Sequence, residues 1–147
     1  MTQRKGFTLI ELLVVIAIIG ILSTLAVVAL NNARAKSRDA KRVADIKQVQ
    51  TALELYYADQ NGYPVESPAI TLGAATDNTL STAGFTATAD ATGTTYMGQV
   101  PSNPTPGGAA YAYLAATNAT YTITFTLEGI TGGLAAGAHT ASPTGIQ

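Results

Sequence analysis

The sequence predicts an α+β protein in which a long N-terminal α-helix packs on a small antiparallel β-sheet head. Three observations predict it. Residues 7–30 form an uninterrupted apolar run with one charge, Glu11. The apolar spacing of three and four continues beyond that run through Val43, Ile46, Val49, Leu53 and Tyr56 or Tyr57, the signature of an amphipathic helix. Much later, Tyr121, Ile123, Phe125 and Leu127 alternate with Thr120, Thr122, Thr124 and Thr126, the period of a half-buried strand.

Size and charge bound the rest. At 147 residues and 47% hydrophobic content there is room for one modest core. The chain has no cysteine, which excludes disulfides and thiolate metal sites. The formal net charge of -1 conceals an asymmetry, because all 8 basic residues lie at or before Lys47. The later acids are Glu54, Asp59, Glu66, Asp77, Asp90 and Glu128. An acidic head speaks against direct nucleic-acid binding.

The elements follow in order. Residues 7–30 span roughly 36 Å as a helix, enough to cross a bilayer. A secretory signal peptide is the other reading, but its apolar region is shorter and ends in a small-residue cleavage site. Here the nearest candidates, Ala33 and Ala35, are embedded in charge. Counting flanking charges, Arg4 and Lys5 on one side against five basic residues from Arg34 to Arg42 on the other, puts the N-terminus outside. With no proline between Phe7 and Asn61, the helix is expected to continue through residues 31–61. Asn61-Gly62 is a helix stop, and Tyr63-Pro64 prevents continuation. Arg34, Lys36, Arg38, Lys41 and Arg42 are expected on the exposed face as a basic collar, touching headgroups or acidic neighbours.

Residues 62–147 are expected to be a loop-rich β head. The Thr, Ala, Ser and Gly content of residues 65–95 predicts an irregular surface loop with little core. Strands are predicted at Tyr96–Val100, around Tyr111, Tyr113 and Ala115, and at 120–127, the last covering Val43, Ile46, Val49 and Leu53. Tyrosines 111, 113 and 121 are expected as cross-strand core residues. No catalytic constellation is present: His139 stands alone in a Gly/Ala-rich tail, and neither a phosphate loop nor a paired-histidine metal motif occurs. Asn118-Ala119-Thr120 fits a glycosylation sequon, a weak three-residue signal. No cofactor and no enzymatic activity are expected.

The segment Arg4, Lys5, Gly6, Phe7, Thr8, Leu9, Ile10 and Glu11, continuing through Leu12, Leu13, Val14 and Val15, resembles the class III leader of bacterial type IV pilins and of the pseudopilins of type II secretion and competence systems. The resemblance is strong to about residue 35. It implies that residues 1–6 are a leader bearing Arg4 and Lys5, that a prepilin peptidase on the cytoplasmic side cuts between Gly6 and Phe7, and that Phe7 is then N-methylated. That would place the N-terminus inside, against the charge count. Glycine at the cut has a rationale, since it lets the backbone lie extended against a protease. The resemblance also implies that Glu11, one turn from the new terminus, pairs with the amine of a neighbouring Phe7 during assembly.

The stretch "ALELYYADQNGYP" resembles the end of the long helix in major pseudopilins and small pilins, and "VPSNPTPGG" resembles the Pro-x-Asp-Pro loop of such heads, with Asn103 where an acid often stands. Related heads often bind calcium through clustered carboxylates, whereas Asp77, Asp90 and Glu128 stand apart in this sequence. Related tails are often stapled by a disulfide, so residues 132–147 are expected to be loosely held here. The expected function is a structural subunit of a pilus (fimbrium) or pseudopilus filament. Its expected partners are further copies, the assembly machinery and the lipid bilayer. It is expected to wait as a single-pass protein of the cytoplasmic membrane with an extracytoplasmic head, then to enter a periplasmic or surface filament. The alternative is an uncleaved, membrane-tethered binding module with a small β-rich head.

Overall fold

A computed structural model describes residues 6–88, 90 and 92–147. The chain divides into two compact units, one ending at Ala35 and the other running from Lys36 to Gln147. A single long helix, α1 (Leu9–Gln60), supplies most of the first unit and one layer of the second. No proline interrupts it. Asn61 follows at φ 55°, the left-handed cap that asparagine tolerates better than most residues.

In the first unit every described residue from Gly6 to Arg34 is exposed. Large apolar side chains such as Phe7, Leu9, Ile10 and Leu25 have no intrachain cover. Among the described residues only this helix is long and apolar enough to cross a membrane.

Among its described residues the second unit carries eight strands. These are β1 (Glu66–Thr71), β2 (Thr79–Ser81), β3 (Gly84–Thr86), β4 (Thr95–Met97), β5 (Ala112–Thr117), β6 (Thr120–Leu127), β7 (Gly137–Ser142) and β8 (Gly145–Ile146). They form an antiparallel five-stranded sheet in the order β1-β5-β6-β7-β8 and a three-stranded sheet in the order β3-β2-β4. Strand β6 alternates as the sequence predicts. Tyr121, Ile123, Phe125 and Leu127 are buried, and Thr120, Thr122 and Thr124 face out. They meet Ile46, Val49 and Leu53 of α1 in one core, with Val43 at its edge. Tyr111 and Tyr113 are fully buried as well. Tyr113 stacks on Tyr121, and Tyr63 meets Tyr121 edge-on at 4.7 Å, geometries that aromatic quadrupoles favour.

Two expectations are corrected. The segment 65–95 is not an irregular surface loop with little core. It contains β1, β2 and β3, and it buries Leu72, Leu80 and Phe85. Its strands are only three to six residues long and threonine-rich, so the apolar alternation that marks a strand never accumulates. The tail is not loosely held either: β7 pairs with β6, β8 pairs with β7, and Gln147 exchanges both backbone hydrogen bonds with Thr140. Backbone pairing to a buried neighbour orders this segment despite its small side chains.

The register of β6 is testable. Ile123→Ala should cost about 2–5 kcal/mol through cavity formation, and Thr124→Ala about 1 kcal/mol or less. Denaturant unfolding of the full chain followed by tyrosine near-UV circular dichroism measures both.

Candidate functional site

Two charged clusters stand out, one in each unit. In the first, Gly6, Phe7 and Thr8 precede the helix and are not helical. Thr8 is the N-cap. Its N–H and its Oγ1 both donate to Glu11 Oε2, at 2.8 and 2.7 Å, while the Glu11 N–H donates back to Thr8 Oγ1 at 3.3 Å. Threonine followed three residues later by glutamate is a capping box, which satisfies helix N–H groups that have no intrahelical partner. The carboxylate also sits where the helix dipole favours negative charge. Among the described residues Oε1 has no hydrogen bond. The sequence carries this signal as the spacing T-x-x-E from Thr8 to Glu11. Arg4 and Lys5 lie outside the described residues.

In the second unit the expected collar divides. Arg34, Lys36 and Lys41 are exposed, and none of them forms an ion pair among the described residues. Arg42 does not belong with them, because its side chain is completely buried. Its Nη1 donates to Asp39 Oδ1 and to Glu128 Oε1, both at 2.6 Å. Its Nε donates to Asn103 Oδ1 at 2.7 Å, and Nη2 donates to the carbonyls of Pro104 and Gly107 at 3.0 and 2.6 Å. Arg38 is four-fifths buried and forks onto both oxygens of Glu128.

Asp39 completes the cluster by accepting the backbone N–H groups of Glu128 and Gly129 at 3.0 and 2.8 Å. Arg38 and Asp39 stand four and three residues before Arg42, which places both on the same helix face as Arg42; the period of the basic residues alone does not distinguish that face from solvent. Two glycines fit around the guanidinium and its partner: a Cβ at Gly108 would lie 3.2 Å from Arg42, and one at Gly107 would lie 2.9 Å from the Glu128 carboxyl. Both have positive φ, so another residue there would be strained as well as crowded.

Glu128, which stands apart in sequence, is therefore not isolated in space. The Arg38 guanidinium first and Arg42 second hold its carboxyl down to about 2. With both oxygens committed to guanidinium groups, it does not fit a cation site. No group of three or more His, Cys, Asp or Glu gathers among the described residues. Asp45, nearby on α1, is shifted upward by burial despite the Tyr111 phenol donating to it at 3.2 Å. His139 lies on β7 against Phe125, its ring nitrogens 2.8 Å from the Ala135 carbonyl and 3.0 Å from that of Gln147.

Comparison with known proteins bears on the first cluster. Residues 1–27 match a family model described as the prokaryotic N-terminal methylation motif. The type II secretion system core protein G of Pectobacterium carotovorum is 42% identical over 62 residues, covering 42% of this chain and 40% of that protein. Its Escherichia coli K12 counterpart is 42% identical over 62 residues, covering 42% and 43%. The type IV major fimbrial protein FimA of Dichelobacter nodosus is 38% identical over 81 residues, covering 55% and 49%. The chain thus spans less than half the length of these relatives in each match. No solved structure matches it.

The Arg42 cluster predicts two outcomes. Arg42→Met should destabilise the second unit by about 3–5 kcal/mol, because it leaves Asp39 and Glu128 without their shared cation. Glu128 has a folded pKa below its ordinary 4.5, so its contribution is present above pH 4.5 and is lost as the pH falls toward 2. Asp45, shifted upward, acts in the opposite sense. Glu128→Gln should therefore flatten the loss of stability between pH 4.5 and 2, measured by denaturant midpoints at each pH.

Proposed function

We infer that this chain, placed with the pilins and pseudopilins by its N-terminal motif and its relatives, is a structural subunit of a pilus or pseudopilus filament. One observation carries the reading. A carboxylate stands in the first turn of an exposed membrane-length helix, capped by Thr8 on one oxygen and, among the described residues, without a partner on the other. A charge at that depth is costly in lipid. A simple anchor has no use for it.

In this reading prepilin peptidase removes residues 1–6, including Arg4 and Lys5, by cutting between Gly6 and Phe7, and Phe7 receives the methyl group. The non-helical backbone at Gly6 and Phe7 suits a scissile bond, since a peptidase binds its substrate extended. The capping box ends the helix at Leu9 and keeps it from running back over that bond. Before assembly the apolar helix rests in the cytoplasmic membrane with the head on the far side. In the filament, exposed surfaces such as Leu9, Ile10, Leu13 and Leu25 bury against copies of themselves, and Glu11 Oε1 accepts the Phe7 amine of a neighbour. Arg34, Lys36 and Lys41 form the reduced collar, facing lipid headgroups first and the acidic heads of other copies later. The assembly machinery of the membrane drives the exchange.

The test is intact mass and N-terminal sequence of protein from membranes and from sheared surface material. The wild type should begin at a methylated Phe7 in both. Glu11→Gln keeps the capping box but not the charge, so it should be cleaved at Gly6-Phe7 yet reduced at least about tenfold in the sheared fraction. An intact Met1 end in the wild type, with nothing sheared, would leave the tethered module instead.

A further inference from the structure

The β6–β7 hairpin of the second unit ends in an uncharged tip. The two strands pair from Ile123 opposite Ala141 to Leu127 opposite Gly137, and beyond them the chain turns through Thr131, Gly132, Gly133 and Leu134. Thr131 and Leu134 exchange both backbone hydrogen bonds at 3.0 Å, and the two central glycines have φ 60° and 85°, the left-handed pair of a tight hairpin turn. No charged residue occurs from Gly129 to Ala138. Leu134 packs inward against the core. Ile130 does not: at 77% exposure it exceeds every other large apolar side chain described in this unit, Val65 following at 56%.

A lone exposed apolar residue is ordinary. Position sets Ile130 apart. At one end of the hairpin the Ser142 carbonyl accepts the Gln50 amide, and at the other the N–H groups of Glu128 and Gly129 donate to Asp39. The hairpin therefore runs along α1 with its tip toward the end of the unit at which the helix enters. Extended backbone beyond Gly129 advances further that way, by roughly 3.3 Å per residue. Lys36, one turn before Asp39 on α1, is exposed and has no ion pair among the described residues. It stands only 6 residues after Leu30, the end of the apolar run. An uncharged apolar tip beside an unpaired cation is the composition of an interfacial membrane contact: the apolar side chain enters the boundary between headgroups and acyl chains, and the cation meets anionic headgroups.

We propose that in the unassembled subunit the β6–β7 tip is a lipid-contact surface, with Ile130 entering the extracytoplasmic leaflet and Lys36 binding anionic headgroups. This rests on the reading of α1 as a membrane anchor with the head outside. The contact holds the head down on the bilayer and is broken when the subunit leaves for the filament.

Methyl NMR of the isoleucine-labelled full chain, at one copy per nanodisc of mixed phosphatidylcholine and phosphatidylglycerol, tests this. A headgroup nitroxide should erase the Ile130 signal, identified by its absence from Ile130→Val, and spare Ile70 and Ile123 of the same unit. The loss should shrink in discs of phosphatidylcholine alone and in Lys36→Gln, because the attraction of a surface cation depends on the lipid charge. An acyl-chain nitroxide should erase Ile21, which reads the anchor separately. Ile21 erased with Ile130 spared overturns this inference alone; both spared overturns the membrane reading with it. A loss of Ile130 that is equal in neutral discs or unchanged in Lys36→Gln overturns the role given to Lys36. A loss seen only when several copies share a disc assigns the tip to a neighbouring copy and overturns the lipid contact.

Discussion

The second unit depends on one buried cation. The Arg42 guanidinium touches the helix through Asp39, the turn after β6 through Glu128, and the 103–107 loop through Asn103 and two carbonyls. These segments are far apart in sequence, and the loop carries little apolar surface of its own to hold it down. A guanidinium suits this task because its donors form a rigid planar fork, always charged and weakly hydrated compared with an ammonium. Burying it is tolerable only because each nitrogen is bonded and two carboxylates share the site. Arg38 supports it from outside by fixing both Glu128 oxygens, and Asp39 returns the favour through the backbone at 128 and 129. Tyr121, Ile123, Phe125 and Leu127 of β6 pack on Ile46, Val49 and Leu53 of α1 to form the core; the Arg42 cluster registers the loop against it.

The first unit answers a different problem with a similar device. Glu11 has no cation among the described residues, and its partner is a threonine three residues earlier. The bonds to Thr8 lower the cost of holding a carboxylate among Leu9, Ile10, Leu12 and Leu13, while Oε1 has no partner among the described residues. A lysine would not serve at this position, since it has no acceptor for the N-cap N–H and the helix dipole disfavours positive charge in the first turn.

What the sequence disclosed followed from periodicity. The long helix, its stop at Asn61 and the burial of Tyr121, Ile123, Phe125 and Leu127 rest on patterns repeated over many residues, where each position reinforces the next. Strands β1, β2, β3, β7 and β8 were not legible because they are short, rich in Thr, Ser, Ala and Gly, and ordered by backbone pairing with neighbours that sequence does not show. Arg42 was illegible for another reason. In a run with Arg38 and Lys41 its helical phase points inward, but a basic residue on an inner face reads as solvated unless its distant partners, Asn103 and Glu128, are known. The Thr8–Glu11 box was legible from spacing alone.

These internal commitments shift the weight of assembly in the proposed filament. With Arg38 and Arg42 occupied, the cations left for contact between copies are Arg34, Lys36, Lys41 and Lys47, all exposed. Exposed pairs are worth about 0.2–1 kcal/mol each and are screened by salt. Burying apolar helix surface is worth roughly 25 cal/mol per Å² against water, but in lipid the helix is already out of water, so that gain is largely absent for a subunit leaving the membrane. Packing between apolar faces and head contacts must then each be weak per copy. A carboxylate in a low-dielectric seam is the exception, since pairing it with a neighbouring amine removes a cost that no other contact addresses. Glu11 is therefore expected to set which axial register a copy can occupy, and the exposed collar to tune only how firmly the heads settle once that register is reached.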